Sequence, residues 1–161
     1  MHDLWDDDRD DCGCDRDDED RPRLHRRRLT MARGDTWTYA FQVVRDVATG
    51  FLYTVKLPLR VPRGSVPVDI TSAKLEVTLK RFASDNDAQA VARLSSPSSG
   101  VVFTNATSGI ATATMAASNT VGFPDTATKL VYDIQLILGG VVTTVEIGEL
   151  WVGADVTQAT T

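Results

Sequence analysis

Two cysteines near the start of the chain are the first residues whose types and spacing could do chemistry. Only Gly13 separates Cys12 from Cys14, and His2 and His25 lie on either side of them. Thiolate and imidazole groups bind zinc, but structural zinc sites usually hold two to four residues between paired cysteines. The pattern therefore favours a segment without a metal over a zinc site, and we expect no cofactor.

A second candidate is the carboxylate pair Asp85 and Asp87 in the stretch SDNDAQ. Acid–base catalysis needs two groups whose environments hold their pKa values apart, and this polar stretch offers no such difference. The pattern is typical of a solvated turn. Both histidines and both cysteines lie within the first 25 residues, so the rest of the chain lacks the usual general base and thiol nucleophile. We expect no enzyme and no catalytic residues.

Two short motifs have a known chemistry elsewhere. Arg33-Gly34-Asp35 is an adhesion tripeptide in some proteins, but here it directly precedes an alternating stretch and is typical of a turn. Asn105-Ala106-Thr107 is an acceptor sequence for glycosylation. The N-terminus has no secretory signal pattern, so we expect this asparagine to stay unmodified.

Charge divides the chain unevenly. Residues 1–28 hold eleven acidic and seven basic side chains, whereas residues 29–161 hold eleven acidic and ten basic ones. A segment so charged and so poor in apolar residues cannot offset its ordering entropy. We therefore predict an extended, charged N-terminal arm at 1–30 and one folded domain at 31–161, with folding beginning near Arg33. A passive extension, with Met31 starting a shorter product, is the alternative.

The charge pattern also bears on partners. Arg26-Arg27-Arg28 is the single basic cluster, and it follows an acidic run that opposes attraction to a polyanion, so we expect no nucleic-acid partner. No stretch approaches the roughly 18 apolar residues of a membrane span. The sequence therefore predicts no membrane association and a protein that stays in the cytosol where it is made.

Apolar and polar residues alternate along most of the domain, which is the period of a strand with one buried face. Trp37, Tyr39, Phe41 and Val43 begin the series, and a five-residue loop at 46–50 connects them to the next strand. The remaining predicted strands hold Phe51, Tyr53, Val55 and Leu57; Ala73, Leu75, Val77 and Leu79; and the stretches 101–103, 110–115 and 130–138. Residues 116–120 are expected to form a short helical turn.

The stretch LVYDIQLILGGVVTTVEIGE predicts a hairpin closed by Gly139 and Gly140, because glycine accepts the positive backbone angles of a two-residue turn. In this register Leu138 faces Val141 and Gln135 faces Thr144. It also places Ile134 opposite Val145, Tyr132 opposite Ile147 and Asp133 opposite Glu146, the last pair on a solvent-facing side. The change of parity toward Leu150 and Val152 predicts a bulge near Gly148.

About eight short strands with turn residues between them indicate an all-β protein, an antiparallel β-sandwich. These residues also carry a resemblance. Gly34-Asp35-Thr36-Trp37, then VDITSAKLEVTLKR at 68–81, then VYDIQLILGGVVTTVEIGELWVGADVT at 131–157, resemble small β-sandwich virion proteins of tailed bacteriophages and prophages. The stretch from Arg33 to Thr157 is similar to the N-terminal domain of phage baseplate upper proteins.

The resemblance implies a non-enzymatic structural protein of the virion, made in the bacterial cytoplasm. Its implied place is the tail or baseplate, where it attaches fibres or neighbouring tail proteins and forms a homo-oligomer in a symmetric assembly. The family supplies no catalytic residues, and the matched positions are expected to shape turns and packing: Asp69, Thr71, Tyr132, Asp133, Gly139 and Gly140.

Two other functions stay open. A capsid decoration or neck protein would follow the same fold logic at another place in the particle. A glycan-binding β-sandwich module would need exposed aromatic rings. Most aromatic residues, including Trp151, fall on the predicted inward faces, which leaves Trp5 as the exposed one.

Overall fold

The computed structural model describes residues 26–121, 123 and 126–154. The predictions for residues 1–25, among them the character of the arm and the roles of Cys12, Cys14, His2, His25 and Trp5, lie outside the described residues.

The described residues include ten strands, which form two sheets packed face to face, and one short α-helix. The predicted all-β sandwich is therefore confirmed. The elements are β1 (Arg26–Ala32), β2 (Trp37–Asp46), β3 (Leu52–Lys56), β4 (Ser65–Pro67), β5 (Lys74–Lys80), β6 (Ala92–Ser95), β7 (Val101–Asn105), β8 (Ile110–Met115), α1 (Ala117–Thr120), β9 (Thr128–Leu138) and β10 (Val141–Gly153). The first sheet has the order β1-β10-β9-β5-β6, and the second has β3-β2-β8-β7 with β4 also paired to β2.

The core lies between the two sheets and is built by the alternation that the sequence shows. Trp37, Tyr39, Phe41 and Val43 of β2 all point inward and are buried. The inward residues of the first sheet meet them from β5, β9 and β10: Leu75, Val77, Leu79, Leu130, Ile134, Leu136, Leu150 and Val152. Burying side chains of this size contributes roughly 1.5–3 kcal/mol each, which makes this interlayer the main source of stability.

The ordered sheet begins earlier than predicted, which corrects the start of folding near Arg33. Strand β1 pairs in parallel with β10 from Arg26 opposite Ile147 to Ala32 opposite Gly153. Arg27, Leu29 and Met31 face the interior, and Leu29 is buried in the core. Three arginines in a row concealed this alternation in the sequence. With Arg26 as the first residue of the sheet, the preceding 25 residues hold eleven acidic and four basic side chains, and the remaining chain holds eleven acidic and thirteen basic ones.

The β9–β10 hairpin follows the predicted turn but not the predicted bulge. Gly139 and Gly140 have positive φ values of 58° and 81°, and Leu138 faces Val141 as expected. The register shifts between Thr144 and Glu146 instead of near Gly148. From that point on each predicted pair is displaced by one residue, so Ile134 faces Glu146, Asp133 faces Ile147 and Tyr132 faces Gly148. The predicted pairing of Asp133 with Glu146 on a solvent-facing side is therefore wrong.

A small second cluster lies on the outer face of the second sheet. Tyr53 and Val55 of β3 pack with Val44 of β2, beneath Phe51 and Val61. The alternating apolar residues of β3 are therefore buried on the outer face of the second sheet, not between the sheets. Thr54, on the opposite side of β3, faces the interior. Strands β4 and β6, with three and four residues, are too short to give a periodic signal and were not predicted.

Candidate functional site

A buried carboxylate lies between the two sheets, where the sequence predicts only apolar side chains. The bulge at Thr144 to Glu146 places Val145 and Glu146, two consecutive residues, both in buried positions. A bulge redirects the following side chain to the other face of its strand. Glu146 is only 1% exposed as a result.

Three hydroxyl groups surround the Glu146 carboxylate. The Tyr39 hydroxyl donates to it from 2.9 Å, the Tyr132 hydroxyl from 2.5 Å, and the Thr54 Oγ1 hydroxyl completes the set. Each hydroxyl comes from a different strand: β2, β9 and β3. An interior carboxylate is tolerated only when hydrogen bonds replace its hydration, and these donors supply that replacement.

The positive partner of the carboxylate comes from β1. The Arg27 Nε atom lies 3.4 Å from Glu146 Oε2, and Arg27 Nη2 donates to the backbone carbonyl of Thr54 at 3.0 Å. Arg27 therefore joins the outermost strand of the first sheet to the outermost strand of the second. We call Arg27, Tyr39, Thr54, Tyr132 and Glu146 the Glu146 cluster.

Burial and the neighbouring Glu146 charge, in that order, raise the pKa of both Tyr39 and Tyr132 far above its usual value of 10. Both phenols therefore stay protonated and remain hydrogen-bond donors. The carboxylate is closed to solvent, and its three hydroxyl donors point at it, so the cluster has no opening for a substrate. Arg27 Nε contacts it only through the ion pair and has no hydrogen-bond partner among the described residues. The cluster acts as an internal network of polar contacts that connects five strands.

The outer face of the first sheet carries a different arrangement of charge. Outward side chains of four of its strands, β1, β5, β6 and β9, place six cations on this face: Arg26, Arg28, Lys74, Lys80, Arg93 and Lys129. Three carboxylates on the same strands accompany them: Glu76, Asp133 and Glu149. We call this surface, with its net charge of +3, the basic face.

A groove of about 370 Å³ crosses the basic face, with Val131 and Ile147 between Arg26, Lys80 and Lys129. Asp133 lies in this groove and accepts a hydrogen bond from Gln135 at 2.8 Å. Burial raises the pKa of Asp133 above its usual range. Glu149 also lines the groove and pairs with Lys129 at 3.3 Å, so the groove holds three cations and two carboxylates.

Trp151 lies on the outer face of the first sheet, which corrects its predicted inward position. Leu150 and Val152 point inward as their predicted parity requires, so Trp151 between them points outward. The Arg28 guanidinium covers its ring at 4.3 Å from the centroid, and the indole nitrogen donates to Glu149 at 3.3 Å. The inward positions of Trp37, Tyr39, Phe41 and Tyr132 are confirmed, whereas Tyr53 is buried in the second cluster. The one outward tryptophan that the structure describes thus has its ring face covered by a cation.

The carboxylate pair singled out in the sequence does not form a site. Asp85 accepts a hydrogen bond from the backbone of Phe82 at 3.1 Å, whereas Asp87 forms an ion pair with Lys80 at 2.8 Å. Lys80 lowers the pKa of Asp87, which keeps this carboxylate ionised. Each aspartate serves its own local contact, in agreement with the predicted turn.

The motifs at 33–35 and 69–71 form turns as predicted. Arg33-Gly34-Asp35 connects β1 to β2, and the Gly34 amide donates to Thr120 Oγ1 at 3.0 Å. Asp69 accepts from the Thr71 amide at 2.9 Å just before β5. Asn105 accepts from the Ser108 amide at 3.2 Å and ends β7.

The described ranges contain no group of three or more histidine, cysteine, aspartate or glutamate side chains that could hold a metal ion. Within the same ranges no helix has the length and apolar character needed to cross a membrane. The Glu146 cluster was missed because its members are far apart in sequence, with Arg27 119 residues before Glu146. The alternation of Arg27 with Leu29 and Met31 was the one available signal that Arg27 points inward.

Comparisons with protein-family models, with curated proteins and with solved structures give no significant match to this chain.

Proposed function

We propose that this protein is a non-enzymatic structural subunit that works by surface pairing with its own copies and with other structural proteins. On the resemblance described above, we assign the assembly to the virion of a tailed bacteriophage, in its tail or baseplate. A capsid decoration or neck protein is the competing location.

The observation that carries the proposal is the set of sheet edges that no further strand of the described residues covers. The outermost strands are β1 and β6 in the first sheet and β3 and β7 in the second. The outer side of such a strand presents backbone N–H and C=O groups that can pair with a neighbouring chain. The edge strand β7 also exposes Val102, which is 58% accessible. Val141 and Val142 are similarly exposed at the start of β10 and offer a second apolar contact.

The polar groups support the same proposal. The Glu146 carboxylate is sealed inside the sandwich, and the carboxylates at 69, 85 and 87 stabilise turns or pair with a lysine. None of them is both exposed and surrounded by groups that would shift its pKa for catalysis. A surface with sheet edges and exposed apolar side chains suits protein assembly better than catalysis.

Sedimentation velocity of the full chain tests the assembly, because a homo-oligomer has a mass that is a multiple of 17.5 kDa. We expect such a multiple in the wild type and a smaller species in Val102→Lys, since an edge lysine opposes strand pairing. Val47→Lys is the matched control, because Val47 is 64% exposed but lies in the β2–β3 turn. A wild-type monomer at every concentration would contradict the proposal.

A glycan-binding module is the candidate of another class, and Trp151 is the observation that favours it. Sugars stack on aromatic faces, and Arg28 would have to leave the ring before a sugar could bind. Binding on a glycan array that is lost in Trp151→Ala would support this candidate over the structural subunit.

A further inference from the structure

The charge of the chain separates at Arg26. The residues before Arg26 hold eleven acidic and four basic side chains, and all eleven acidic ones lie between Asp3 and Asp20. Residues 3–20 contain only two basic side chains, Arg9 and Arg16, so their net charge is −9. We call residues 3–20 the acidic segment.

The basic face is the surface that complements this charge. Its six cations outnumber the three carboxylates on the same strands, and counting Asp87, which pairs with Lys80, still leaves a net charge of +2. Arg26 and Arg28 lie on β1, the strand that the acidic segment precedes. The groove between Arg26, Lys80 and Lys129 gives an extended acidic peptide a place to lie. Carboxylate contacts to arginine and lysine are charge-assisted and are the strongest hydrogen bonds available to such a peptide.

The chain length allows the acidic segment to reach this face. Only residues 21–25 separate Asp20 from Arg26. Five extended residues span roughly 17 Å. Five strands spaced by about 4.8 Å make the sheet roughly 19 Å wide between its outermost strands. Because the connection nearly spans the sheet, the acidic segment can lie over the basic face of its own subunit.

We propose that the acidic segment, residues 3–20, docks on the basic face of the same chain and covers the groove between Arg26, Lys80 and Lys129. A tethered segment has an effective concentration near the millimolar range, so it competes well against the segment of another copy. The docked segment shields the basic face from other polyanions. This proposal concerns the chain itself and is independent of its place in any assembly.

The lysines of the chain make a direct test possible. There are four, and Lys74, Lys80 and Lys129 lie on the basic face. Lys56 belongs to β3 of the second sheet and is exposed. Lys56 is a close control, because it lies two residues from Thr54, whose carbonyl accepts a hydrogen bond from Arg27 near the start of β1. A tether without a docking site would reach it comparably well.

The experiment is zero-length carbodiimide cross-linking of the full chain, read by mass spectrometry. We expect links from the acidic segment to Lys80 and Lys129 to be about 10-fold more abundant than links to Lys56, since docking raises the local concentration. These links should disappear at about 0.5 M NaCl, where charge interactions are screened within a few ångströms. Equal linking to Lys56, or linking that salt does not change, would overturn the proposal.

A mixture of isotopically heavy and light protein distinguishes docking on the same chain from docking on a second copy. We expect each link to join two light peptides or two heavy peptides. Links between a light and a heavy peptide would overturn docking within the chain. A full-length variant provides a second readout. It carries five substitutions: Asp6→Asn, Asp7→Asn, Asp8→Asn, Asp10→Asn and Asp11→Asn. It should lose the Lys80 and Lys129 links and elute from a heparin column at a higher salt concentration than the wild type. Unchanged elution would contradict the shielding of the basic face.

Discussion

The Arg27 guanidinium and the Glu146 carboxylate form an ion pair of 3.4 Å in the interior of the sandwich, with Glu146 only 1% exposed. Arg27 belongs to the strand nearest the charged N-terminus, and Glu146 follows the bulge in β10. The same arginine also binds the carbonyl of Thr54 in the opposite sheet. This relationship makes β1 an integral part of the fold, although its sequence is that of a charged arm.

Replacing Arg27 by methionine should lower the free energy of unfolding by about 3 kcal/mol, because it leaves a buried carboxylate without its positive partner. Arg26→Met is the matched control, since Arg26 is adjacent in sequence and points outward; we expect a change within about 0.5 kcal/mol. Urea denaturation measures both. Equal losses in the two variants would show that the interior ion pair does not stabilise β1.

Tyr39 and Tyr132 should make stability sensitive to alkali. The pKa of each phenol is raised in the folded protein by burial and by the Glu146 charge, while the unfolded value stays near 10. A group with a raised folded pKa stabilises the fold fully below its unfolded pKa, and this contribution is lost as pH rises above that value. Stability should therefore fall above about pH 10, as the unfolded phenols ionise.

Absorbance of the phenolate band checks this expectation. At alkaline pH the native protein should show fewer ionised tyrosines than the same protein in guanidinium chloride. Tyr132→Phe should reduce this difference and cost about 1–3 kcal/mol, because one Glu146 oxygen loses a donor. Identical titrations of the native and unfolded protein would contradict the buried positions of the phenols.

Gly148 is a position where any side chain would clash. A Cβ atom there would lie 2.6 Å from the Arg27 carbonyl oxygen and 2.6 Å from the Tyr132 ring. Gly148→Ala should therefore destabilise the protein by about 1–3 kcal/mol, the usual cost of overpacking. Gly153→Ala is the control, because the nearest atom would be at an ordinary 3.7 Å. Thermal unfolding of the two variants compares them, and a neutral Gly148→Ala would show that β1 is not held against Tyr132.

Asp69 should contribute to acid sensitivity through its turn. Hydrogen bonds from the Thr71 side chain and amide lower the pKa of Asp69 below its ordinary value of 3.8. A lowered folded pKa gives stability that is present above the unfolded value and is lost as pH falls through the folded one. Asp69→Asn keeps an acceptor for Thr71 but cannot titrate. The variant should therefore lose less stability than the wild type as pH falls below about 4. Urea denaturation across that range measures the free energy of unfolding of both proteins. The same pH dependence in the variant and the wild type would count against the Asp69 turn.

Much of the fold is predictable because the core strands obey a strict alternation. The stretches at β2, β5, β8 and β9 each present one apolar side, and the Gly139-Gly140 turn requires positive φ values. The bulge is different in kind. A glutamate is tolerated in the interior only where hydrogen-bond donors surround its carboxylate. The donors to Glu146 come from β2, β3 and β9, so no single stretch of the sequence reveals them.

The basic face escaped prediction for a related reason. Strands β1, β5, β6 and β9 each contribute only one or two outward cations and β10 contributes none, so the basic surface has no local signal in the sequence. The strand order β1-β10-β9-β5-β6 gathers them on one surface. Because β1 begins at Arg26, the three arginines at 26–28 belong to the sheet, and all residues of the acidic run precede it. The composition had placed the boundary of the arm at residue 30.

We propose above that this chain is a structural component of a phage virion. The most direct test is quantitative mass spectrometry of gradient-purified virions from the host that encodes it, with immunogold labelling of intact particles. We predict the chain at a fixed copy number in every preparation and gold at the tail or baseplate. Gold on the capsid or neck would move the location to the competing site, and absence of the chain from purified virions would contradict the claim.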